Sequence, residues 1–86
     1  MNDDQVGDIA STLPDRYAGR VSAQTESLLR QHASGGEWGE LVSVLAADLA
    51  KNHTPVSVAE RDELTDLVDA TGEGGEYLDQ LIARQS

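Results

Sequence analysis

The chain has 86 residues, sixteen acids against six bases, and a net charge of −10 at pH 7. That length builds one small domain, spanning 1–86, and the absence of cysteine excludes a disulfide framework and any thiolate metal site. So negative a chain repels phosphate backbones and anionic lipid surfaces, which argues against nucleic-acid and membrane partners and favours fast encounter with a cationic one.

The opening "MNDDQVGD" lacks the basic and apolar regions of a signal peptide. No stretch approaches the roughly 20 apolar residues of a membrane span, so a soluble, cytoplasmic protein is expected. Val6, Ile9 and Leu13 are spaced for one or two helical turns against a core. Gly7 weakens that pattern, and residues 1–12 are expected to be partly frayed. "TLPD" offers Thr12 as an N-cap and Pro14 in a first turn, predicting a helix that carries Tyr17, Val21, Leu28 and Leu29 as far as His32. Gln24 and Thr25 fall where its apolar stripe should continue. "SGG" at 34–36 ends it, since glycine takes the left-handed conformation that closes helices.

The next helix has the clearest pattern. Trp38, Leu41, Val42, Leu45 and Leu49 share one face. Glu37 and Glu40 stand at the positive end of its dipole and Lys51 near the other. Pro55 disfavours helix at Thr54, and Ser57 with Glu60 forms a capping box for a third helix carrying Leu64, Leu67 and Val68 to about Ala70 or Thr71. After "TGEGGE", the residues Tyr77, Leu78, Leu81 and Ile82 predict a short final helix. No strand pattern emerges. The predicted fold is all-α, a small antiparallel bundle of three main helices plus short terminal ones. With no Phe, and only Trp38, Tyr17 and Tyr77 as aromatics, Leu and Val must make the core.

Asp62, Asp66, Asp69 and Glu73 fall one per turn, roughly opposite Leu64, Leu67 and Val68. Like charges at this spacing cost a few tenths of a kcal/mol per pair. This column reads either as a solvated face or as a polyanionic strip for a basic partner. Metal binding is tested by "DATGEGGEYLDQ", residues 69–80, against a calcium-binding helix–loop–helix pattern. Asp69 and Gly74 fit, but Thr71, Glu76 and above all Gln80, in place of the closing glutamate, do not. His32 and His53 each fall at a helix C-terminus, where they complement the dipole. No phosphate loop and no nucleophile elbow is present. No cofactor, no metal and no enzyme activity are expected. Trp38 reads as a core anchor, with an interface hot spot as its rival role.

Residues 28–72, "LLRQHASGGEWGELVSVLAADLAKNHTPVSVAERDELTDLVDATG", resemble the core of the MafI-type immunity proteins, small cytosolic partners of bacterial polymorphic toxins. Gly36, Glu37 and Gly39 match that family's turn, and Leu45 and Leu49 its Ala/Leu-rich helix. Val56 and Ser57 match the capped loop, and Leu64 and Leu67 the acidic helix. "ELV" at 40–42 departs from the family's "ALE"-like run. The resemblance implies an immunity protein whose partner is a cognate protein toxin, many such toxins being nucleases with basic clefts. Asp62, Asp66, Asp69 and Glu73 would be its binding strip, with Glu37 and Glu40 as a second patch. An acidic helical adaptor without a toxin partner is the alternative. The oligomeric state is not legible.

Overall fold

Each helix end is made by side chains or backbone groups that the local sequence supplies. The computed structural model describes residues 1–84, with side chains through Leu81. The elements in order are α1 (Asp3–Ala10), α2 (Leu13–Arg16), α3 (Ala23–Ser34), α4 (Trp38–Lys51), β1 (Pro55–Ser57), α5 (Val58–Thr71), α6 (Gly75–Leu78) and β2 (Ile82–Arg84). The fold is all-α, with α3, α4 and α5 as its three main helices.

The N-terminal segment opens with a reciprocal cap. Asn2 Oδ1 accepts from the Gln5 N–H at 2.9 Å, and Gln5 Oε1 accepts from the Asn2 N–H at 2.9 Å. This satisfies two amides that a helix start leaves open. The helix that follows buries Val6 and Ala10 and packs on α4 and α5. Gly7 lies so close to Trp38 that a Cβ there would sit 3.1 Å from the indole Nε1.

The single helix expected from Pro14 to His32 is instead two. Thr12 caps nothing, because its hydroxyl donates to the Ile9 carbonyl at 2.7 Å. The chain leaves α2 at Tyr17, turns through Gly19 at φ +81 and restarts at Ser22. The Ser22 hydroxyl accepts from the Thr25 N–H at 3.1 Å, a true N-cap. Gln24 and Thr25 are therefore first-turn residues of a new helix, which explains the lapse in the apolar stripe.

The α3–α4 turn follows the glycine logic. Gly36, at φ +69, is flanked by two backbone bonds, Gly36 N–H to Ala33 O at 3.2 Å and Glu37 N–H to His32 O at 2.9 Å. That pair is a Schellman closure. The same closure ends α4, with His53 at φ 52 in the position glycine usually fills. Central to the fold, α4 packs against α1, α3, α5 and α6.

Two short strands correct the expectation of none. Pro55–Ser57 pairs in parallel with Ile82–Arg84, Val56 facing Ala83. Segments so short leave no alternation for a pattern to reveal. The expected final helix is correspondingly shorter: α6 stops at Leu78, Leu81 is buried, and the chain then extends into β2. The expected inward side chain of Ile82 lies outside the described residues.

Leu13, Leu29, Leu41, Val42, Leu45, Leu49, Leu64 and Leu67 are all fully buried. Each such burial contributes roughly 1.5–3 kcal/mol. Tyr17 joins them, ring and hydroxyl both enclosed, and among the described residues its hydroxyl has no hydrogen-bond partner. Trp38 is half-buried and packs against this core.

One acid enters the interior. Asp48 of α4 is 7% exposed. It accepts from Thr25 Oγ1 at 2.7 Å, Ser22 Oγ at 3.3 Å and Asn52 Nδ2 at 3.2 Å. Burial pushes its carboxyl up, but the bonds from Thr25, Asn52 and Ser22 outweigh that and hold it below the ordinary carboxylate value. The network fastens the start of α3 to the third turn of α4.

Candidate functional site

The acidic column forms on α5, but it is shorter than the sequence predicts. Asp62, Asp66 and Asp69 are exposed on the helix. Gly72 then takes φ 75 and ends α5, so Glu73 no longer follows helical spacing. Its side chain lies against the first turn of α4, where a Cβ on Gly39 would meet Glu73 Cγ at 2.8 Å. Glu73 therefore belongs with Glu37 and Glu40 and departs from the column.

Two open grooves collect these acids. The first, of about 720 Å³, runs between α1 and α5 and is lined by Asp8, Asp66 and Asp69 around Met1, Ile9 and Ala70. The second, of about 530 Å³, is lined by Asp3, Glu37, Glu40 and Glu73 around Trp38 and Ala70. Ala70 lines both, so the strip and the second patch become one face divided by that residue. Asp62 lies outside both grooves. Sequence reasoning missed Asp3 and Asp8. The four-residue, one-turn spacing of Asp4 and Asp8 beside Val6 and Ile9 is a signal in the sequence, but only the packing of α1 on α5 places Asp8 next to Asp66 and Asp69.

Among the described residues, the arginines pair with acids away from this face. Arg16 pairs with Glu63 at 2.7 Å and Arg20 with Glu60 at 2.6 Å. Arg30 pairs with Asp15 at 2.9 Å and Glu26 at 3.3 Å. Among the described residues no ion pair reaches Asp3, Asp8, Asp62, Asp66, Asp69 or Glu73. Asp69 also stands in the last turn of α5, a turn with no base, where the negative end of the helix dipole disfavours a carboxylate. The face is thus held against local electrostatic preference.

Glu37 and Glu40 have a different environment. Both turn toward His32, whose Nδ1 lies 3.1 Å from Glu37 Oε1 and 3.4 Å from Glu40 Oε2. His32 lies in the last turn of α3, which runs two residues beyond the predicted end, to Ser34. The fold adds that the glycine turn brings both carboxylates back onto it.

Trp38 resolves into two roles, packing against the core on one side and lining the second groove on the other. What this face offers chemically is multiple exposed carboxylates around small apolar floors, an arrangement for recognising cations and basic side chains. No family model, no curated protein and no solved structure matches the chain. Among the described residues no helix is long and apolar enough to cross a membrane.

Proposed function

We propose that this chain is a non-catalytic immunity protein that binds a cognate toxin domain and neutralises it through the acidic face. The observation that carries the reading is a set of carboxylates, Asp8, Asp66 and Asp69, that among the described residues have no ion-pair partner and surround the apolar floor of Met1, Ile9 and Ala70. Interfaces of this kind gain speed and register from opposite charge and affinity from a desolvated apolar centre. A nuclease toxin presents a basic, phosphate-binding cleft, and an array of carboxylates replaces the phosphates there. The similarity of residues 28–72 to MafI-type immunity proteins supports the same reading, with Glu37, Glu40 and Glu73 as the flank of the contact and Asp62 at its outer edge.

The test is co-expression with the product of the gene adjacent to the one encoding this chain, scored by growth rescue and by co-purification. Rescue and a stable complex are expected. Reversal of Asp66 and Asp69 to lysine should weaken the complex at least roughly tenfold and flatten its salt dependence. Affinity and salt dependence equal to wild type would remove this face as the site. A complex without rescue would instead identify an acidic adaptor.

A further inference from the structure

We propose that His32, Glu37 and Glu40 hold one divalent transition-metal ion of the zinc type at the α3–α4 turn. The donor atoms of the three side chains all lie within 4.8 Å of one another. A tetrahedral ion bound at about 2.0–2.1 Å sets its donors about 3.3 Å apart. The His32 Nδ1 separations of 3.1 Å and 3.4 Å from the two carboxylates match that spacing.

The turn itself builds the arrangement. The Glu37 N–H bonds to the His32 carbonyl at 2.9 Å, which fixes these two residues side by side through the backbone. Glu37 is the N-cap residue of α4, yet its side chain makes no capping bond to that helix. The carboxylate instead lies over Gly35, where a Cβ would come within 3.1 Å of Glu37 Oε1. Glycine thus leaves open the space that the carboxylate occupies. His32 is largely enclosed, its side chain 16% exposed, so the imidazole is oriented before any ligand arrives. Among the described residues no lysine or arginine pairs with Glu37 or Glu40.

The donor set selects the ion. One imidazole nitrogen and two carboxylate oxygens suit zinc and its neighbours, whereas calcium and magnesium prefer an all-oxygen shell. Three protein donors leave a fourth position open to water or to an outside ligand.

Zinc chloride titrated into the full chain, followed by calorimetry and by the imidazole signals of His32 and His53, tests the site. One ion per chain is expected, saturating at micromolar concentration, with the His32 signals shifting and those of His53 unmoved. His32→Gln and the double change Glu37→Gln with Glu40→Gln should each weaken zinc binding roughly tenfold or more, while His53→Ala leaves it unchanged. Calcium should bind at least roughly tenfold more weakly. No saturation at millimolar zinc, unmoved His32 signals in the wild-type chain, zinc affinity retained in the Glu37/Glu40 variant, or calcium binding as tightly as zinc would each overturn the proposal. None of these readouts involves a toxin, so the site stands or falls apart from the immunity reading.

Discussion

Arg20 grips the Glu60 carboxylate with both terminal nitrogens, at 2.6 Å and 3.0 Å, while its second nitrogen also donates to the Pro55 carbonyl at 3.1 Å. The guanidinium lies 4.6 Å above the Tyr17 ring. Glu60 simultaneously accepts from the Ser57 N–H at 2.8 Å, so one carboxylate serves both the cap of α5 and the clamp on the α2–α3 connection. Lysine cannot reproduce the planar two-point grip or the stacking. Arg20→Lys should therefore lower stability by about 1–2 kcal/mol, a figure reduced for the partial exposure of the pair. Urea unfolding measures it, and a loss near zero would show the clamp to be decorative.

Acid should loosen the protein through two groups. The Arg20 guanidinium outweighs burial and holds the Glu60 carboxyl down at about 2, from an ordinary value of 4.5, and Asp48 is also depressed. In both cases the unfolded chain takes up the proton first. Both stabilisations are complete above the ordinary carboxylate range and fade in acid, that of Glu60 as pH falls from about 4.5 toward 2. Urea midpoints across that window should fall steeply in the wild type and more gently in Glu60→Gln, which begins from lower stability.

Tyr17 carries the opposite signature. Burial, reinforced by Glu60, pushes its hydroxyl up to about 12 against the pull of Arg20 and Arg16. A folded-state value above the unfolded one means stability is retained below pH 10 and lost as pH rises toward 12. An enclosed hydroxyl without a partner is also costly. Tyr17→Phe should raise stability by roughly 1 kcal/mol at neutral pH and remove the alkaline loss that the tyrosine causes. A destabilised phenylalanine variant would show that the hydroxyl is satisfied after all.

The acidic face should trade stability for recognition. Asp62 with Asp66, and Asp66 with Asp69, stand at helix-neighbour spacings, and Asp69 opposes the dipole of α5. Asp66→Asn with Asp69→Asn should stabilise the free protein by a few tenths of a kcal/mol, and added salt should do the same to the wild type. Thermal unfolding at low and high ionic strength checks both. A loss of stability on neutralisation would mean that these carboxylates have internal partners.

Local signals in the sequence were legible where one segment contained the whole cause. The Ser57–Glu60 box, the Gly36 closure and the apolar face from Trp38 to Leu49 each depend on residues a few positions apart, and each stands as read. The misreadings all involve partners distant in sequence or a change of backbone course. Thr25 looked like a gap in a stripe because its partner, Asp48, is on another helix. Glu73 looked like the fourth member of a column because helical spacing was continued past Gly72. The strand pairing of Val56 with Ala83 joins segments separated by two helices. Asp8 gained its place beside Asp66 and Asp69 only through tertiary packing. The six-base composition likewise could not say which acids the arginines would choose.

That choice divides α5 lengthwise. Glu60 and Glu63, in its first half, are matched by Arg20 and Arg16, whereas among the described residues no ion pair reaches Asp62, Asp66 or Asp69. Charge along α5 is consequently uneven, with both of its arginine-paired acids toward its N-terminal end. A strongly positive surface exerts a torque on such a body at distances within the ionic screening length, about 8 Å at physiological salt. It would swing the Asp66–Asp69 end forward before first touch, so that many collisions begin already facing the right way.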